Sequence, residues 1–191
     1  VGKEDSKLIR EYLNGDLSSF EILFSKYKKR LFSFLFALTR DENLASDLFQ
    51  ETFVKVIEKI SYFKENTNFP AWLFTVARNI FLDHIKNKKN FISIDFKEDD
   101  ESQSLAETLS SNDNPEYEYI KKIDIKDLLD SLELISYEEK EIIILKHYSQ
   151  LSFKEIAEEL HIPIGTALAR FSRGIKKLRI ILSRKNNYSE H

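Results

Sequence analysis

Near the C-terminus, Thr166, Arg170, Arg173 and Lys177 follow one another at spacings of 4, 3 and 4. On a helix those spacings align them along one face, where hydroxyl, guanidinium and ammonium groups can reach phosphate oxygens or guanine edges. A second group, Asp47, Gln50 and Glu51, falls at i, i+3 and i+4 on what would be one polar face of a helix. A third mixes rings, amides and cations. Tyr62, Phe63, Asn66, Asn68 and Phe69 belong to the segment YFKENTNF, and Arg78, Asn79, Lys86, Lys88 and Lys89 follow it. Aromatics beside a basic segment can stack on exposed bases, and Tyr62, Phe63 and Phe69 are the candidates. The basic row and the rings point to binding rather than turnover.

Catalysis has little to draw on. The chain has no cysteine, which removes disulfides, thiolate metal sites and cysteine nucleophiles together. Its histidines, His84, His147, His161 and His191, form no i, i+4 pair and no zinc spacing. Four scattered glycines cannot write a phosphate-cradling loop. No catalytic residue, metal or cofactor is expected. The longest apolar-rich stretch, Leu31 to Leu38, is far short of the ~20 residues of a membrane span. The first residues lack an apolar signal core, so a soluble intracellular protein with no membrane insertion is expected.

The net charge of −3 conceals a strong segregation. Residues 1–90 carry a net +3, residues 91–130 a net −8 and residues 131–191 a net +2. From Ile162 to Ser189 there are seven basic residues and no acid. Phe91 to Pro115 holds the run Glu98-Asp99-Asp100-Glu101, several serines and the pair Asn114-Pro115, a linker composition. A boundary there divides the chain into a domain over 1–90, an acidic flexible linker over 91–120 and a domain over 121–191.

With only four Gly and three Pro, the elements that position these clusters are helices, and the fold class is all-α with two small domains. Ser18-Ser19-Phe20-Glu21 has the form of a capping box, placing a helix start near Ser19. Its apolar stripe runs Phe20, Leu23, Phe24, Tyr27, Leu31, Phe34, Leu35, Leu38. A second helix opens between Asp41 and Leu44 and buries Leu44, Leu48, Phe49, Thr52, Phe53, Val56, Ile57 and Ile60, leaving Asp47, Gln50 and Glu51 outside. Pro70 suits the first turn of a third, Ala71 to about Asn87, with Trp72, Val76, Ile80 and Phe81 as its buried stripe. A solvated helix face is the competing explanation for the charged residues outside it.

In the C-terminal domain, Ser136-Tyr137-Glu138-Glu139 and Ser152-Phe153-Lys154-Glu155 are two further capping boxes. The helix after Ser152 is short, Phe153 to Leu160, because Pro163 disfavours helical dihedrals at Ile162. A basic helix then opens near Gly165-Thr166. Its core stripe is Phe171, Ile175, Leu178 and Leu182, opposite Thr166, Arg170, Arg173 and Lys177, and Ala157 is small enough to let the two helices approach. Helix, short turn and basic helix outline a helix-turn-helix, whose second helix enters the major groove. A three-helix bundle with a solvated basic face is the alternative.

At this point the segments ASDLFQETFVKV (Ala45–Val56), FPAWLFTVARNIFLDHIK (Phe69–Lys86) and LSFKEIAEELHIPIGTALARFSRGIKKL (Leu151–Leu178) become specific. The chain resembles the extracytoplasmic-function sigma factors, small bacterial sigma subunits that keep only two promoter-reading domains. The likeness runs from about Leu8 to Leu182. It implies that Asp47, Gln50 and Glu51 dock on the clamp helices of core RNA polymerase. It further implies that the loop Tyr62–Phe69, with Arg78, Asn79, Lys86, Lys88 and Lys89, captures and melts the minus-10 element. The helix Gly165–Ser183 then reads the minus-35 element through Thr166, Arg170, Arg173 and Lys177, and the acidic linker threads toward the polymerase active centre.

The family usually carries a polar or basic pair where this chain has Leu168-Ala169, and an arginine-leucine pair where it has Arg170-Phe171. Readout then rests on Thr166, Arg170, Arg173 and DNA shape. The partners implied are core polymerase, promoter DNA and an anti-sigma protein, in the bacterial cytoplasm. A stand-alone helix-turn-helix regulator, dimeric on a palindrome, is the other function the residues allow.

Overall fold

The computed structural model describes residues 2–64, 68–92 and 125–189. Among them are eight α-helices, one 3-10 turn and no strand. Asn66 and the acidic segment from residue 93 on lie outside the described residues. The helices fall into two compact units, one taking residues 1–98 with the short segment 147–151, the other residues 99–146 and 152–191.

The first unit opens with α1 (Gly2–Leu13), ahead of the first helix expected from the apolar periodicity. A buried charge cluster pins it to α2 (Leu17–Thr39). The Asp5 carboxylate, 0% exposed, accepts from the Tyr27 hydroxyl at 2.6 Å and from Lys26 Nζ at 2.6 Å. Both carboxylate oxygens are engaged, the condition under which a charge is tolerated away from water.

The α2 start differs from the expected one. Asp16, not Ser18, caps the helix, because its carboxylate accepts from the Ser18 N–H at 3.0 Å and from both serine hydroxyls at 2.6 and 2.8 Å. The serines therefore lie inside the first turn as donors, and their hydroxyls, Ser18 before Ser19, hold the Asp16 carboxyl below the usual aspartate range. The other end closes on Arg40, whose left-handed backbone (φ 56°) returns its N–H to the Phe36 carbonyl. Asp41 then caps α3 (Glu42–Lys59) through the N–H groups of Asn43 and Leu44, within the expected start.

A 3-10 turn (Ile60–Tyr62) and α4 (Phe69–Ile92) complete the unit. Helix α2 packs against α1, α3 and α4. Its Leu31, Phe34 and Leu35 are essentially inaccessible, and Phe34 meets Phe74 edge to face at 5.1 Å. Each such side chain contributes ~1.5–3 kcal/mol by burial.

The expected α4 stripe needs correction. Leu73, Phe74 and Ala77 are fully buried, with Ile80 and Phe81 below them, whereas Trp72 and Val76 are only half-buried. The true stripe is rotated by one residue, about 100°, because Trp72 rests on the rings of Phe63 (5.5 Å) and Phe69 (5.8 Å) at the edge of the core.

The second unit contains α5 (Ile125–Leu132), α6 (Tyr137–Ser149) up to Lys146, α7 (Phe153–Glu159) and α8 (Ile164–Ser189). Both capping boxes form. Ser136 and Glu139 exchange hydrogen bonds at 3.3 and 3.4 Å, and Ser152 and Glu155 at 2.8 and 3.2 Å. The chain leaves α7 at Leu160 and turns through His161, whose φ of 54° is left-handed, before Pro163 admits α8. Helices α7 and α8 pack closely across the buried Ala157, with the rings of Phe153 and Phe171 at 5.0 Å. The predicted stripe of Phe171, Ile175, Leu178 and Leu182 is buried at 9, 4, 3 and 2% exposure. Helix α5, not anticipated from the periodicity, covers α8, with Lys185 reaching Asp127 at 3.3 Å.

Candidate nucleic-acid and partner interface

On α3 the buried face is Ala45, Leu48, Thr52, Phe53 and Val56, and the opposite face presents Asp47, Gln50 and Glu51 to solvent. Two apolar side chains share that outer face. Val54 is 57% exposed, and Ile57, expected in the core, is 46% exposed. Ile57 follows Val56 by about 100° of helix rotation, which carries it off the buried face. The outer face of α3 is thus acidic with an apolar centre, suited to a partner with basic groups around a hydrophobic patch. Val54 escaped the sequence reading because one apolar residue on a polar face has no periodic signal.

Beyond α3, Tyr62 stands 83% exposed on the 3-10 turn, the most open large hydrophobic side chain among the described residues. Phe63 is half-buried behind it, against Phe69 at 5.7 Å. Phe69 belongs to the core, being 1% exposed and 5.5 Å from the Tyr27 ring, and it seats Phe63 and Trp72. Asn68 lies at the entry to α4, its carbonyl accepting the Trp72 N–H at 3.1 Å. Along α4, Asn79 and Lys86 are exposed and share a face at i, i+7, with Arg78 half-buried beside them. Lys88 and Lys89 continue the helix, but their side chains lie outside the described residues.

In the second unit the α7–turn–α8 arrangement sets Thr166 and Arg170, both half-buried, on the first turns of α8. Lys146 of α6 lies over the Phe153 ring at 5.0 Å, and burial there pushes its ammonium below the ordinary lysine range against the opposing charge of Glu155. Further along, Arg173 and Lys177 turn toward Glu139 on the first turn of α6. Lys177 Nζ is 2.9 Å from both carboxylate oxygens and Arg173 Nε is 3.9 Å from one. Thirty-eight residues separate Glu139 from Lys177, so no local spacing announces this pairing.

Two family models match these two units in order. Sigma-70 region 2 covers residues 23–91, and Sigma-70 region 4 covers residues 125–178. Together they take in well over half of the chain. The chain belongs to the Sigma-70 family of sigma factors. It is accordingly a factor that directs transcription initiation at promoters, and two promoter-reading regions in sequence favour that function over a stand-alone helix-turn-helix regulator.

Similar proteins of the family include the RNA polymerase sigma factor CarQ of Myxococcus xanthus, 29% identical over 91% of this chain and 95% of that protein. The ECF RNA polymerase sigma factor SigW of Bacillus subtilis is likewise 29% identical, over 91% and 94%. Among solved structures, the fold resembles the sigma factor RpoE of Bartonella quintana in complex with the anti-sigma factor NepR, with TM-score 0.67, 24% identity and 87% and 98% coverage. It also resembles CnrH bound to the cytosolic domain of CnrY, with TM-score 0.65, 18% identity and 95% and 98% coverage. The α1 helix precedes the segment matched by the region 2 model. Among the described residues no helix is long and apolar enough to cross a membrane.

Proposed function

We propose that this sigma factor divides its work between residues 1–90 and 121–191, with the acidic stretch 91–120 joining them. The first domain docks on core RNA polymerase through Asp47, Gln50 and Glu51, with Val54 and Ile57 adding an apolar contact at the centre of that face. It holds the melted minus-10 strand with Tyr62, backed by Phe63 and by the loop amides Asn66 and Asn68. Arg78, Asn79, Lys86, Lys88 and Lys89 line the strand's path. An exposed ring offers stacking that offsets part of the cost of unpairing a base. The second domain reads the minus-35 element with the start of α8.

A length argument distinguishes the α8 residues. Arg170 lies about 6 Å and Arg173 about 10 Å along the axis from Thr166, but Lys177 lies about 16 Å away at 1.5 Å per residue. A recognition helix sets its N-terminal residues against base edges, and residues further along it lie nearer the backbone. Thr166, Arg170 and Arg173 therefore face base edges, and Lys177 stands at the groove rim among phosphates.

The observation that carries this reading is the pairing of an acidic, apolar-centred face on region 2 with a basic helix-turn-helix on region 4 in one chain. The factor performs no chemistry of its own and acts in the bacterial cytoplasm. An anti-sigma protein that masks both faces is a further proposed partner, consistent with the fold it shares with the sigma factor RpoE solved in complex with the anti-sigma factor NepR.

The test is reconstitution with bacterial core polymerase followed by selection of genomic fragments. Selective retention of a fragment set and run-off transcription from it are expected. Binding of duplex by the chain alone as a two-fold dimer, without polymerase, would overturn the proposal. Arg170→Ala is expected to weaken holoenzyme binding to the selected fragments by ~1–3 kcal/mol with little effect on random duplex. Equal loss on both would make Arg170 a phosphate contact.

A further inference from the structure

The Glu139 side chain is only 5% exposed, yet it is charged, and its partners come from two directions. The Ser136 N–H of its own capping box donates at 3.3 Å, and Lys177 Nζ sits 2.9 Å from each carboxylate oxygen. Arg173 approaches at 3.9 Å. The close approach depends on Gly174. A Cβ there would lie 3.1 Å from Glu139 Cβ and 2.7 Å from Ile143 Cδ1, so a bare α-carbon lets α8 settle against α6. Glycine in a helix interior costs about 1 kcal/mol relative to alanine, which the contact must offset. Lys177 is nevertheless 52% exposed, so its ammonium faces solvent on one side and a buried carboxylate on the other.

We propose that Glu139 is a specificity-determining residue of the DNA-binding unit, its buried carboxylate serving Lys177 as an internal counter-ion and withholding that charge from DNA phosphates. Glu139 acts through Lys177, so it is a positioning residue. The inference rests on the DNA-reading role given above to α8. Phosphate contacts supply sequence-independent affinity, whereas base contacts supply discrimination. A rim lysine neutralised from within lowers the first and leaves the second to the start of α8, Thr166 and Arg170 above all. The free energy of docking then depends more on the correct sequence.

The full chain is titrated with a random-sequence duplex across about 50 to 200 mM salt, a range over which phosphate contacts dominate the change in affinity. Glu139→Gln keeps the capping acceptor and removes the charge. It is expected to bind the random duplex severalfold more tightly, to steepen the plot of log affinity against log salt by about one, and to lower the ratio of selected to random binding in the holoenzyme. The effect should vanish in the Lys177→Gln background. Glu139→Asp retains the charge and should keep the wild-type slope even where its melting temperature falls, which separates lost charge from lost packing. An unchanged slope in Glu139→Gln, or the same steepening without Lys177, overturns the proposal. Failure of the wild-type holoenzyme to select any fragment instead removes the promoter-reading assignment, while the random-duplex slopes still decide whether Glu139 withholds the Lys177 charge.

Discussion

Asp47→Arg is expected to abolish stable co-elution of the chain with core RNA polymerase while leaving its own fold intact. The side chain lies on the solvent face of α3, opposite the buried Leu48, Thr52 and Val56, so reversal of its charge removes no packing. Surface substitutions of this kind usually change stability by no more than ~0.5 kcal/mol. The cost appears at the partner. An arginine facing the basic groups that Asp47, Gln50 and Glu51 are proposed to meet turns attraction into like-charge contact, worth several kcal/mol and on the order of 100-fold in affinity. The paired measurement is the thermal midpoint of the free variant together with its elution profile beside polymerase. Unchanged assembly would remove Asp47 from the docking face, and loss of the free fold would show that the residue has a structural role the surface position does not disclose. Val54→Asp should act in the same direction through desolvation of the apolar centre.

The second large effect is expected at the base of α1. Asp5→Ala leaves the buried Tyr27 hydroxyl without its acceptor and removes one of the two carboxylates that neutralise Lys26, Glu4 at 3.2 Å remaining. Stranding a buried donor costs ~1–3 kcal/mol, and Lys26 is partly solvated, so a loss of ~2–3 kcal/mol is expected for the first unit. For a unit of this size that lowers the melting transition by on the order of 10 °C.

The same cluster gives a pH dependence with a definite sign. Burial first, and the hydrogen bond to Asp5 second, raise the Tyr27 hydroxyl above its ordinary value. Burial opposes the charge on Lys26, but its hydrogen bonds to Asp5 and Glu4 outweigh that and raise it too. A raised folded-state value means that the stabilisation is complete below the unfolded value, about 10 for either group, and is lost as pH climbs through the folded one. The unit should therefore hold its stability through neutral pH and weaken in alkali above about 10. Tyr27→Phe should narrow the gap between wild type and variant in that alkaline window, measured by denaturant unfolding at stepped pH. A gap that widens with alkali would contradict the assignment.

The helical class, the α3 start at Asp41, the two C-terminal capping boxes and the core stripe of α8 were all legible in the sequence, because each is set by short-range rules. A cap joins residues three apart, and a stripe repeats every three or four. The placement of Asp47, Gln50 and Glu51 on an exposed face of α3 followed from the same periodicity.

What periodicity could not supply was the position of each helix relative to its neighbours. Trp72 and Ile57 matched a core spacing, but Trp72 lies at the edge of the core and Ile57 on the outer face of α3, because the width of a buried stripe depends on what packs over it. Ring packing left Tyr62 open and enclosed Phe69, although both aromatics flank the same loop. The partnership of Glu139 with Lys177 needed Gly174 to bring α6 within reach of α8. The amino-acid sequence determined which faces are charged, apolar or capped, since those properties are local and additive along a helix. Only the tertiary structure decided which of the charges are spent internally, since a buried carboxylate takes whichever cation the packing of distant helices presents to it.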